Sequence, residues 1–233
     1  MSNVSTRRIK FCCKKLVADY KTITTVIVLG DFGLPWHNCP IDENGIHPID
    51  PTDRYLLKWY KNKPFSILAV MGNHDNYDMI EKLPEVEMFG NKVLKVSDNI
   101  VYLKRGEIYQ IEDKSFLVLG GAKSEDKEYR ILHESWWQQE ELTEEEKAAC
   151  FEKIKKSDRK FDYVLSHTGT TKGISCIAPS YTSENDATVN FNDTVDSMIS
   201  YKKWFFGHWH SDWGFDNYAN SKFVPLYHKG IVL

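Results

Sequence analysis

Four short runs of β-branched and other apolar residues recur along the chain: TTVIVLG (24–30), FSILAVMG (65–72), FDYVLSHT (161–168) and KKWFFGH (202–208). Each is too short for a buried helix and too continuously apolar for a strand with one wet face. They read as strands covered on both faces. Stretches with helical spacing lie between them, notably DRYLLKWYKN (53–62), with Leu56, Leu57 and Tyr60 on one side. Strands alternating with helices specify a layered α/β or α+β unit.

The remaining segments fit that frame. Residues 5–18 have the spacing of an amphipathic helix, and a short helix is expected around 77–82. From 92 to 121 the period changes to 2: KVLKV, IVYLK, EIYQIE and SFLVLGG are separated by Ser-Asp-Asn, Arg-Gly and Asp-Lys turns. That is the pattern of an antiparallel meander. Residues 123–142 are irregular and carry Trp136 and Trp137. Helices are expected over 143–157, where Thr143 and Glu146 make a capping box, and over 188–200. Runs near 213–217 and 222–233 would finish a sheet. No Gly/Ser/Pro-rich linker divides the chain, so residues 1–233 are expected to form a single domain.

A net charge of -3 argues against a general nucleic-acid binder that relies on a basic surface; nucleic acid remains only a possible substrate. No run approaches the roughly 18 to 20 apolar residues of a membrane span, and the start has no apolar core of signal-peptide length. A cytoplasmic protein is therefore expected. The 5 cysteines, Cys12, Cys13, Cys39, Cys150 and Cys176, are odd in number and show no CxxC spacing, which suggests neither a disulfide framework nor a thiolate zinc site.

The residues just beyond each buried strand are more specific. The first strand runs into VLGDFG with Asp31, the second into VMGNHDN with Asn73, His74 and Asp75, the third into VLSHTG with His167, and the fourth into FFGHWH with His208 and His210. Sites in α/β sheets form at the carboxyl ends of strands. A Gly before the ligand lets the backbone turn sharply and approach whatever is bound. Two histidines at i and i+2 of an extended segment point to one side, and neutral imidazoles that converge suit a transition metal.

Gly-Asp, Gly-Asn-His-Asp, a lone His after a strand, and Gly-His-x-His, in that order, resemble the calcineurin-like metallophosphoesterase family. The resemblance covers about residues 24 to 233, and VIVLGDFGLPW, DKEYR and SWW are similar to a small bacterial or phage-type branch. It implies a layered β-sandwich flanked by helices, with the meander in mid-chain. It also implies hydrolysis of a phosphomonoester or phosphodiester by a two-metal mechanism. By the same resemblance Asp31 bridges the metals, Asn73, His167 and His208 complete one site, and His210 belongs to the other. His74 would face the substrate, oriented by Asp75. The ions would be divalent transition metals, manganese foremost, with iron, zinc or nickel as alternatives.

The chain departs from the family in one place. The family's first motif, Asp-x-His at the end of an initial strand, has no counterpart ahead of Asp31; Asp19 lies too close, and His37 comes after Asp31. Two alternatives stay open: a shortened chain whose complete form is an ordinary enzyme, or a half-site serving as a catalytically inactive binding or scaffold protein. Either way one ion would be held well and the second poorly, with weak or absent turnover.

The other candidates carry bland readings. His37, His47, His133 and His228 read as solvated loop or terminal histidines, although His37 and His47 could also act as metal ligands and His228 could line the site. Arg130 could reach a phosphate through a bidentate contact or make a surface salt bridge. Trp136 and Trp137 could wall the site and stack on a base or ring, but paired tryptophans in an irregular segment more often cover a satellite core. The acidic run from Glu140 to Glu146 reads as a solvated helix start.

Overall fold

The computed structural model describes residues 23–38 and 49–231. The helix expected over 5–18, and His47, Cys12, Cys13 and Cys39, lie outside the described residues. The four buried runs are strands: β1 (Thr25–Val28), β2 (Ser66–Ala69), β8 (Lys160–Leu165) and β9 (Ser200–Phe206). They divide between two sheets. The first has the order β1-β2-β5-β4-β3, with β3 at Glu85–Met88, β4 at Asn91–Ser97 and β5 at Ile100–Leu103. The second has the order β10-β9-β8-β7-β6, with β6 at Glu107–Ile111, β7 at Lys114–Val118 and β10 at Phe223–Pro225.

The expected meander is therefore not one ribbon. β4 pairs antiparallel with β5, and β6 with β7, but β5 runs parallel to β2, and β7 parallel to β8. At Lys104–Gly106 the chain leaves one sheet for the other. The period-2 pattern and the turns are local properties, and both are present. Which strand receives the free edge of β5 depends on a distant partner with both faces buried. β3 is not among the expected strands because its sequence, EVEM, is mostly exposed.

Alternation assigns the faces. In β2, Ile67 and Ala69 look to one cluster with Leu56, Tyr60, Tyr102 and Trp137, while Leu68 joins a second with Val101, Val118, Leu165 and Phe205. In β9, Phe205 enters that second cluster while Trp204 and Phe206 face a third with Cys150, Ile154, Val189 and Val195. The second cluster draws on both sheets and lies between them; the other two sit under helices. The result is a sandwich with a helical layer on each outer face, as the resemblance implied.

Helices α1 (Pro51–Lys61), α3 (Glu144–Lys156) and α5 (Ala187–Met198) supply those layers. α1 opens with Asp50 as N-cap and Pro51 in its first turn, where the missing N–H costs nothing. The Thr143 hydroxyl accepts from Glu146 N and the Glu146 carboxylate accepts from Thr143 N, so the capping box of α3 forms. Short helices α2 (Tyr77–Ile80), α4 (Thr171–Ser175) and α6 (Trp213–Asp216) fill turns. α6 replaces one of the runs expected to finish a sheet. Among the described residues no helix is long and apolar enough to cross a membrane.

The segment 123–142 is irregular, with 3₁₀ turns at Lys127–Tyr129 and Gln138–Glu140. It is not a satellite. Trp137 is fully buried in the cluster under the first sheet, edge-on to Trp36 at 5.3 Å, and its indole N–H donates to Asp78 Oδ2 at 2.9 Å.

Candidate metal centre

The carboxyl ends of β1, β2, β8 and β9 meet at one end of the sandwich. Asp31 Oδ1 lies 3.1 Å from His167 Nε2. Asn73 Oδ1 lies 2.9 Å from the same nitrogen and 3.2 Å from His208 Nδ1. Four side chains from four strand ends, 177 residues apart from Asp31 to His208, are thus joined in one run of contacts, Asp31 to His167 to Asn73 to His208.

The backbone is bent to achieve this. Asp31, His208 and His210 have φ of 55°, 63° and 49°, and Gly30 has φ 92°. A non-glycine residue in this region costs about 1–2 kcal/mol. Such strain persists only where surrounding contacts over-determine it, and three of the eight non-glycine residues with positive φ among the described residues stand at these strand ends. Gly30 and Gly72 make room. A Cβ on Gly30 would stand 2.1 Å from His167 Nδ1, and one on Gly72 would stand 2.3 Å from Asp31 Oδ1.

Outer contacts fix the polarity of each ligand atom. His167 Nδ1 donates to the Leu29 carbonyl at 2.6 Å, which turns Nε2 toward Asp31 and Asn73. The Asn73 amide donates through Nδ2 to Ser124 Oγ at 2.9 Å, which leaves Oδ1 facing the two rings. Ser124 Oγ in turn donates to Glu140 Oε2 at 2.6 Å, and Ser124 N donates to Glu140 Oε1 at 2.9 Å. Glu140 is fully buried, against the expectation that the acidic run from Glu140 onward is solvated. The run is solvated only from Thr143 on. Nothing in the sequence marks Ser124 and Glu140 as partners, because they meet only when the irregular segment packs under the β2 loop.

Charge follows from burial. Burial opposes ionisation of Asp31, but the neighbouring His167, with its hydrogen bond, and His74 hold the carboxyl well below its usual range. Burial also works against a proton on His167, yet Asp31 outweighs it and the ring is pushed above the ordinary histidine value. His208 is driven down to about 3 by burial and by His167, so it is neutral. His167 Nε2 faces two oxygens that can accept from it, Asp31 Oδ1 and Asn73 Oδ1. The donor set of one carboxylate, one amide oxygen and two imidazoles suits a divalent transition metal. The separations of 2.9–3.2 Å are close to the ~3 Å between adjacent ligands on an ion bonded at ~2.1 Å. In its chemistry the donor set fits such an ion.

His210 is placed differently. It is exposed and stacks on Tyr227, with ring centroids 4.5 Å apart and 23° between planes. His208 is turned inward and His210 outward because both residues are left-handed rather than extended, so the i, i+2 rule for strands does not apply beyond β9.

His74 donates its backbone N–H to Asp31 Oδ1 at 2.9 Å, and its half-buried ring lies against Arg130. Asp75 was expected to orient that ring. Its carboxylate instead accepts from Gly72 N at 2.7 Å, Gly33 N at 2.8 Å, Asp31 N at 3.2 Å and the Tyr102 hydroxyl at 3.1 Å. It ties the loops after β1 and β2 together and so sets where Asp31 stands. Burial first, then the Asp31 charge, push its pKa up to about 6.

His37 is also engaged. Its Nδ1 lies 2.8 Å from Asp53 Oδ1 and 3.5 Å from Asp50 Oδ1, a group close enough to surround an ion. Asp53 Oδ2, however, already accepts from Trp36 N and His37 N, and Asp50 caps Thr52 N. The group sits at the start of α1, where the helix field favours anions over cations. It fastens the loop after β1. His133 is exposed and pairs with Asp78 at 2.8 Å. His228 is exposed, and its backbone N–H donates to Asp212.

The family model described as calcineurin-like phosphoesterase matches residues 7–212. No curated protein matches the chain.

Proposed function

Because the chain belongs to the calcineurin-like phosphoesterase family, whose members are metal-dependent phosphoesterases, we propose that it hydrolyses a phosphomonoester or phosphodiester at the junction of β1, β2, β8 and β9. The observation that carries this reading is the run of contacts at 2.9–3.2 Å that joins Asp31 to His167, His167 to Asn73 and Asn73 to His208. These four would hold one divalent ion, manganese foremost. His210, with Asp31, is the residue offered to a second ion, which would be bound more weakly. Bound ions would supply Lewis-acid stabilisation of the phosphoryl oxygens and an acidified water.

The chain's own residues do the rest. Asp31 Oδ1 accepts from the backbone N–H of His74 and so sets where its ring stands. The ring is pushed below the ordinary histidine value, by burial first and by Arg130, while Asp31 pulls the other way. An anionic phosphate arriving there favours the protonated ring, which can then donate to the leaving oxygen. Asp75 holds the geometry and touches no substrate. The phosphate ester is the one partner this reading requires, with nucleic acid only as a possible substrate.

The test is hydrolysis of aryl phosphate mono- and diesters by the purified chain with Mn²⁺, before and after chelation. Weak turnover that chelation removes and Mn²⁺ restores is expected, since the second ion is held poorly. A chain that binds the ion and turns over neither ester would be a binding protein instead.

Ion binding at His167 Nε2 competes with a proton there. Because that pKa is raised, affinity should climb as pH rises toward the raised value and level off above it. Calorimetry in buffers of different ionisation enthalpy should show about one proton released per ion at the low end of that window. An affinity flat from pH 6 to 8 would contradict the assignment.

Ser124→Ala removes the group that points Asn73 Oδ1 at the rings. About 10- to 100-fold weaker ion binding is expected by competition with a chelating dye. Unchanged affinity would mean that Asn73 is oriented by something else.

A further inference from the structure

Arg130 touches the site in a way that the metal ligands do not explain. Its Nη1 lies 2.8 Å from His74 Nδ1 and its Nη2 lies 3.1 Å from His74 Nε2. A neutral imidazole has one nitrogen able to accept, and a protonated one has none. At least one N–H of Arg130 therefore meets a ring nitrogen that offers it no lone pair. Two donor groups face each other with no acceptor between them, an arrangement that an anionic oxygen would complete.

The guanidinium is held for that role. Nε and Nη2 donate to Asp126 Oδ1 and Oδ2, both at 2.7 Å, and Nη1 donates to Ser135 O at 3.1 Å. The segment is strapped to the loop that carries His74. His133 Nδ1 lies 2.8 Å from Asp78 Oδ2, Trp137 Nε1 donates to the same oxygen at 2.9 Å, and Asn38 Nδ2 donates to His133 O at 3.1 Å. Asp78 belongs to α2, which starts three residues after His74. The Arg130 side chain is 15% exposed and that of Asp126 is 56% exposed. Water screens the aspartate far more than the guanidinium, so positive field remains on the side toward His74.

We propose that Arg130 is a substrate-binding residue that, with His74, takes a phosphoryl oxygen left free by the ion, and that it fits the site to phosphomonoesters over phosphodiesters. A monoester has three non-bridging oxygens and is a dianion near neutral pH; a diester has two and carries one charge. The additional oxygen and the additional charge are what a fixed planar cation recognises. This rests on the phosphoesterase reading above and names its substrate class.

The experiment compares wild type with Arg130→Ala, Arg130→Lys and Asp126→Asn, each checked for unchanged melting. The substrates are p-nitrophenyl phosphate and bis(p-nitrophenyl) phosphate, with Mn²⁺. For Arg130→Ala, kcat/KM should fall about 100-fold on the monoester, equivalent to about 2.7 kcal/mol, and less than about 5-fold on the diester. Arg130→Lys should recover part of the monoester loss, because charge remains but the fork does not. Asp126→Asn keeps the charge and loosens its aim, so it should fall between wild type and Arg130→Ala on the monoester. Equal losses on both esters, or no loss on the monoester, overturn the proposal. Calorimetric titration with inorganic phosphate reads the same contact without turnover. Arg130→Ala should weaken phosphate at least tenfold, and an unchanged affinity also overturns it. Wild type that hydrolyses neither ester would sink the phosphoesterase reading, while the phosphate titration would still decide Arg130.

Discussion

Asp31→Asn is expected to weaken Mn²⁺ binding at least 100-fold and to abolish ion-dependent ester hydrolysis. Asp31 is the one carboxylate in the proposed four-residue ligand set, with its Oδ1 3.1 Å from His167 Nε2. Asparagine keeps its shape and can still accept from His74 N, so the substitution removes charge while preserving the loop. A 100-fold loss corresponds to about 2.8 kcal/mol, a modest figure for deleting a formal charge beside a dication in a buried site. Equilibrium dialysis on the purified variant measures it. An ion held as tightly as in wild type would remove Asp31 from the ligand set.

The same variant has a signature without metal. The folded pKa of His167 is raised, burial being outweighed by Asp31. The stability this contributes is fully present below the unfolded value of 6.5 and is lost as pH rises through the folded value. Metal-free wild type should therefore lose that contribution across this window, and Asp31→Asn should lack that part of the slope. Urea unfolding at several pH values, with a chelator present, makes the comparison.

Gly30→Ala is the second large effect. At φ 92° an alanine is strained, and its Cβ would stand 2.1 Å from His167 Nδ1 and 2.5 Å from Cγ. The imidazole cannot retreat without breaking its 2.6 Å bond to Leu29 O. Left-handed backbone costs about 1–2 kcal/mol and overpacking about 1–3 kcal/mol, so a loss of roughly 2–5 kcal/mol is expected, together with much weaker ion binding. Gly90→Ala is the control: φ is 78° there, but nothing lies within 4 Å of the added Cβ. It should show the backbone cost alone. If both alanines destabilise equally in urea, the close approach of Gly30 to His167 is not what the glycine serves.

Much of this is legible in the chain itself. β1, β2, β8 and β9, helices α1, α3 and α5, the capping box at Thr143, and the polar residues just beyond each strand all come from patterns within a few residues. Alternation, 3.6-residue spacing and a Gly ahead of a ligand type are local, and local geometry enforces them. The family resemblance rests on those same strand ends.

What the sequence could not show is who faces whom. The run from 92 to 121 looks like one meander because each turn is a hairpin-type turn, but the chain changes sheets at Lys104–Gly106, where burial of both faces rewards parallel pairing with β2 and β8. Asp75 looks like the partner of its chain neighbour His74, yet it binds four donors from the loops after β1 and β2 and from Tyr102. Glu140 looks like surface charge and is buried behind Asn73, and Arg130 reaches a histidine 56 residues away. By itself the sequence determined which chemistry stands at the end of each strand, because strand, turn and ligand lie within one short stretch. Only the tertiary structure decided which atoms of those ligands face one another and what holds them there, because contacts between distant segments are set by packing and burial and leave no period in the sequence.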